Sequence, residues 1–212
     1  MAQGRPGSHA VNPRRRNHAK QRSIVDNVYV TDIPLRDRLV EAGVELLEEE
    51  GLAALSLRAI TRRTGVSHGA PRRYFPTHNS LLAAIAATGL ADLANRLKPT
   101  DVRRATPEEL LVAAAEHYLE FAADRPGMFD LVFRHDLLEG AGGNLRQQSL
   151  PLFQIFIDQV AQAHPADARE RAIALWTNIH GLATLRATKA LDLLGTPDLT
   201  PMIRQIVHAH LA

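Results

Sequence analysis

From Leu35 onward the chain alternates apolar and charged positions with a helical period. Leu35, Leu39, Ala42, Gly43, Leu46 and Leu47 recur every three or four residues, with Arg36, Asp37, Arg38, Glu41, Glu45 and Glu48 between them. The pattern predicts an amphipathic first helix that closes at Gly51, because glycine adopts the left-handed conformation at little cost. Ser56 is placed to cap a short second helix, 57–63, with Leu57 and Ile60 facing inward. Thr64, Gly65, Val66 and Ser67 follow: the glycine permits a sharp turn, Val66 plugs the corner, and Ser67 is placed to cap a third short helix. After Pro76 the helical spacing resumes through Leu81, Leu82, Ile85, Ala86, Gly89, Leu90 and Leu93 to about Leu97. Further helices are predicted at 107–124, 126–134, 145–163, 167–194 and 198–211, set apart by Pro126, the glycine-rich stretch 140–143, Pro165 and Pro197. No strand-like alternation of useful length is present. The fold class is therefore all-α: an N-terminal three-helix unit, then a six-helix body.

Composition narrows the chemistry. In 212 residues there is no cysteine, which removes disulfides, thiolate zinc sites and cysteine nucleophiles and suits a reducing cytoplasm. No apolar run reaches the roughly 18 residues that span a bilayer, so a cytoplasmic protein without membrane contact is expected. The net charge of +2 is unevenly divided. Residues 1–33 carry Arg5, Arg14, Arg15, Arg16, Lys20 and Arg22 against Asp26 and Asp32, whereas 81–212 hold more carboxylates than Lys plus Arg. That asymmetry suggests a polyanion partner for the N-terminal part. Gly4, Pro6, Gly7 and Pro13 equally suit a solvated, disordered tail. The expected organisation is a basic tail (1–33), a helix-turn-helix unit (34–80) and a helical ligand-binding and dimerisation body (81–212).

Helix, turn and short helix between Ser56 and Tyr74 make a helix-turn-helix by spacing, although many helical hairpins bind nothing. The detail is more specific. Leu55-Ser-Leu-Arg-Ala-Ile, then Thr64-Gly-Val-Ser-His-Gly-Ala, then Tyr74-Phe75-Pro76-Thr77 and Leu81-Leu82 together resemble the N-terminal domain of the TetR family of regulators. The resemblance implies double-stranded DNA as partner and places the DNA-facing residues at Arg58, Ser67, His68, Gly69, Ala70, Arg72, Arg73, Tyr74 and His78. His78 falls where a family lysine often meets a phosphate. Ser67 at a helix start suits a phosphate, and Arg72 or Arg73 suits a guanine edge. A solvated basic face is the plain alternative for Arg62, Arg63, Arg72 and Arg73. Two positions depart from the family pattern: Pro71 stands where leucine is common and Arg72 where tyrosine is common. Proline is tolerated only in a first helical turn, so the third helix is expected to start late or to be distorted.

In the body, His117, Tyr118, Phe121, Met128, Phe129, Phe133, Phe153 and Phe156 on successive helices, with Trp176 and His180 further on, are candidates to line an apolar pocket for a small molecule, or else form ordinary core. Trp176 and His180 lie four apart on one helical face and precede Gly181, which resembles the Trp-His-Gly signature of a C-terminal domain in a TetR-like subgroup. Small residues around Gly181 suit close helix approach, and helices 167–194 and 198–211 are expected to pair in a homodimer on a palindromic operator. The family resemblance implies a repressor released by a small-molecule effector, with no cofactor and no metal. An enzyme is disfavoured: there is no His-Glu-x-x-His run and no Gly-x-Ser-x-Gly elbow. A helical interaction module or helical enzyme with a vestigial helix-turn-helix is the alternative.

Overall fold

The computed structural model describes residues 1, 34–98, 105–195 and 198–212, so the predicted basic tail lies outside the described residues. The helices are α1 (Leu35–Glu50), α2 (Leu57–Thr64), α3 (His78–Arg96), α4 (Pro107–Asp124), α5 (Pro126–Val132), α6 (His135–Leu138), α7 (Leu145–Ala163), α8 (Ala168–Ala187) and α9 (Thr200–Leu211). No strand occurs among the described residues.

Local chemistry accounts for most boundaries. The Ser56 hydroxyl accepts the Ala59 N–H at 3.2 Å and starts α2. Thr77 and Ser80 form a reciprocal capping box at α3, as do Thr106 and Glu109 at α4, where Pro107 follows the cap. The α2 C-terminus closes on Gly65, whose φ of 69° is left-handed, and Val66 N–H returns to the Thr61 carbonyl at 3.2 Å. That six-to-one bond turns the chain sharply and seats Val66 against the core.

Three expectations need correction. The predicted third short helix is absent as an α-helix; residues 67–70 form a turn and Pro71–Arg73 a single 3₁₀ turn. The predicted helix 126–134 ends at Val132, with α6 separate, and the predicted helix 167–194 ends at Ala187. Beyond it, Lys189 has φ 57° and the chain continues as a 3₁₀ segment, Ala190–Leu194.

One apolar cluster joins the N-terminal helices to the body. Leu39, Leu46 and Leu47 of α1, Ile60 of α2 and Leu81, Leu82 and Ile85 of α3 are buried with Phe121 of α4, Met128 and Leu131 of α5 and Leu175 of α8. α3 runs unbroken through residue 80. Around its far end a chain of ion pairs ties three elements. Arg125 reaches Glu48 of α1 at 3.2 Å and Asp92 of α3 at 2.9 Å, while Arg96 reaches Asp92 at 3.3 Å and Asp124 at 2.8 Å. Burial raises the Asp92 carboxyl, but the hydrogen bonds from Arg125 and Arg96 outweigh it and hold the group below its ordinary range. Beside Arg125, α5 sits so tightly on α1 that a Cβ at Gly127 would collide with the Leu47 carbonyl oxygen.

Candidate nucleic-acid interface and sensor cluster

The arginines of the N-terminal unit divide into two sets. Arg63 is bound by Glu49 and lies 3.5 Å from Glu45, and the hydrogen bond to Arg63 holds the Glu49 carboxyl below its ordinary range. Arg38 donates to the Thr64 carbonyl at 3.1 Å, and Arg36 pairs with Asp37 while lying over the Phe75 ring. Arg58, Arg62, Arg72 and Arg73 are exposed, and none of their guanidinium groups has a hydrogen bond or ion pair among the described residues. Arg58 and Arg62 lie four apart on one face of α2, and Arg72 and Arg73 lie on the 3₁₀ turn that follows.

Of the residues expected at DNA, Ser67, His68, Gly69 and Tyr74 are exposed and Ala70 is half-buried. Ser67 does not cap a helix; its carbonyl accepts the Ala70 N–H at 3.0 Å and closes a turn. His78 is half-buried, and its Nε2 donates to the Leu55 carbonyl at 3.0 Å, so only Nδ1 remains for an outside partner. Thr61, at 2% exposure, is the buried polar residue of the unit. Its hydroxyl donates to the Arg58 carbonyl at 3.0 Å, which leaves its oxygen to accept from His68 Nδ1 at 3.4 Å. Sequence reasoning passed over Thr61, because a threonine in a helix interior usually bonds only its own turn.

In the body the predicted rings do meet. His180 stacks on Phe129 at 5.3 Å between centroids and meets Phe133 edge-on at 4.6 Å and Trp176 at 5.2 Å. Trp176 meets Phe153 at 5.9 Å, Phe153 meets Phe156 at 6.0 Å, and Phe121 meets Phe129 at 6.4 Å. Met128 is buried against Gly89. His117 makes no ring contact among the described residues; the neighbouring Tyr118 takes the inward place. Its hydroxyl lies 2.8 Å from His180 Nδ1. Burial pushes the Tyr118 hydroxyl far above its ordinary range and His180 below its own, so a neutral pair is favoured. A separate open groove of about 870 Å³ lies between α1, α3 and the glycine-rich loop, and none of these rings lines it.

Helix α2, a sharp turn and a 3₁₀ turn in the place of the second helix, with a free cationic face and an all-helical body behind them, make the architecture of a helix-turn-helix regulator. The chain belongs to the tetR family of bacterial regulatory proteins: that family's model matches residues 39–85, and the tetracyclin repressor-like C-terminal domain matches residues 111–210. The C-terminal match includes Trp176, His180 and Gly181. The HTH-type transcriptional repressor Rv3405c of Mycobacterium tuberculosis is 29% identical over 136 residues, which span 63% of this chain and 62% of that protein. Among solved structures, a protein of unknown function from Rhodococcus sp. RHA1 is similar at 27% identity and TM-score 0.69, covering 86% of this chain and 94% of that one. BioQ with its natural double-stranded DNA operator is similar in fold at 18% identity and TM-score 0.61, covering 84% of this chain and 97% of that one. No described helix is long and apolar enough to cross a membrane.

Proposed function

We propose that this chain is a sequence-specific DNA-binding transcription regulator that represses from a palindromic operator as a homodimer and is released by a small-molecule effector. The carrying observation is the sorting of its arginines: Arg58, Arg62, Arg72 and Arg73 face outward unpaired on the helix-turn-helix, while Arg63 and Arg38 are committed internally. Four desolvation-cheap cations on one motif suit a phosphate backbone. Arg58 and Arg62 contact phosphates, and Arg72 and Arg73 approach the bases. Similarity to a mycobacterial repressor and to an operator-bound BioQ supports the reading.

Dimerisation rests on the outer face of α8 and α9. Ile173, Ala174, Thr177, Gly181 and Leu185 are exposed along α8, Met202 is exposed on α9, and a Cβ at Gly181 would meet nothing within 4 Å. A stripe of this kind admits a partner helix closely, and a two-fold pair presents two helix-turn-helix units to half-sites about 34 Å apart. The aromatic cluster around His180 receives the effector. A ligand that parts these rings favours a conformation with differently spaced DNA-reading ends, so ligand and operator oppose each other by linkage.

The test is binding of the purified protein to the DNA upstream of its own gene across a salt series, beside scrambled DNA of equal length. A regulator binds the first far more tightly with a steep salt slope, and Arg72→Ala with Arg73→Ala abolishes the difference. Equal, weak binding to both DNAs refutes the reading.

A further inference from the structure

In a helix begun at Ser67, residue 71 is the first whose N–H would close an intrahelical bond, onto the Ser67 carbonyl. Proline has no such N–H, and its ring collides with that carbonyl. The chain turns twice instead. Ser67 bonds Ala70 N–H at 3.0 Å, and a new turn opens at Pro71, whose carbonyl takes the N–H groups of Tyr74 at 2.9 Å and Phe75 at 2.8 Å. Pro71 and Phe75 are buried and pin this second turn to the core. The first turn leans on α2 through the contact between His68 and Thr61. The two turns therefore offer different chemistry. His68 has one ring nitrogen engaged, whereas Arg72 and Arg73 stand free on a fixed base.

We propose that Pro71 moves base reading forward by one turn, so that Arg72 and Arg73 read the bases while Ser67 and His68 touch only the sugar-phosphate backbone. This rests on the DNA-binding function proposed above. A guanidinium fork matches the O6 and N7 acceptors of guanine in the major groove, so each half-site carries guanines at the positions these two arginines reach. Restoring a backbone donor at residue 71 allows a helix from Ser67, which rotates the segment and presents His68 to the groove.

The experiment is selection of bound sequences from random double-stranded DNA by the full-length protein and its His68→Ala, Arg72→Ala, Arg73→Ala and Pro71→Ala variants, with helical content checked by circular dichroism. The wild type selects guanine-bearing half-sites. Arg72→Ala and Arg73→Ala each relax discrimination at a particular base pair by roughly 5- to 150-fold. His68→Ala lowers affinity evenly and keeps the selected sequence, and folded Pro71→Ala selects a different one. The proposal is overturned if His68→Ala loses a base preference, or if both arginine variants weaken all sequences equally. Should Pro71→Ala fail to fold, the other three variants decide. A wild type that selects no sequence refutes the regulator reading itself, an outcome distinct from a selected site that follows His68.

Discussion

Arg62 and Arg63 are adjacent in α2 and identical in chemistry, yet one is bound by Glu49 and the other is free. Arg62→Ala is expected to weaken operator and non-specific DNA alike and to reduce the salt slope by about one unit. Arg63→Ala leaves the slope unchanged, because its charge is already neutralised within the protein; fluorescence anisotropy at several salt concentrations separates the two. His180 offers a pH test. Burial holds it below its ordinary value of 6.5, so the folded state binds its proton less readily than the unfolded chain. Its contribution to stability is complete above about 6.5 and declines as pH falls from there toward the lower folded value. Denaturant midpoints are expected to drop on acidification in the wild type and to drop less in His180→Gln. Tyr118→Phe removes the hydroxyl facing His180 Nδ1 and is expected to cost about 1–3 kcal/mol at neutral pH, read from the same unfolding curves.

Among the elements, α5 occupies a position that its seven residues conceal. Phe129 and, just beyond its end, Phe133 join the ring cluster, while Gly127 lies against Leu47 of α1 and the preceding Arg125 against Glu48. Gly127→Ala is expected to destabilise the protein by roughly 1–3 kcal/mol, seen as a lowered melting temperature, since the Leu47 carbonyl belongs to a packed helix that cannot step aside. The sequence was legible where a single residue type forces an end: Ser56, Gly65, Pro107 and Pro126 all stand where the helices begin or stop. It was less so after Ala187, where Lys189 takes a left-handed φ without a glycine to announce it. Pro71 was visible as a departure, but Ser67 remained a chemically valid cap. Only the position of the missing N–H relative to that cap decides that no α-helix forms. Likewise His117 and Tyr118 are neighbours on α4, about 100° apart around its axis, and a helix buried over much of its girth does not announce which of the two points to the ring cluster.

At the scale of the whole molecule, the proposed dimer requires the α8 and α9 face to be covered so that two DNA-reading ends act together. Gly181→Arg fills the open stripe with a bulky charge at an exposed position where the isolated chain offers no clash. It is expected to keep the helical content, yield a monomer in analytical ultracentrifugation, and lower operator affinity steeply while sparing weak non-specific binding. A variant that remains dimeric and binds normally would place the subunit contact elsewhere.

The length of α3 has a mechanical consequence. Nineteen residues make a rod of about 28 Å, anchored at one end by the Asp92 and Arg96 ion pairs and carrying the helix-turn-helix at the other. Tilting such a rod by about 5° about its anchored end sweeps the other through roughly 2.5 Å. In a two-fold pair, opposite sweeps add to roughly 5 Å, more than the 3.4 Å or so by which one base pair advances along the DNA axis. In the proposed dimer, a ligand at the ring cluster that tilts α3 by so small an angle would be geared up, by helix length alone, into a slip of more than one base pair between the two reading heads.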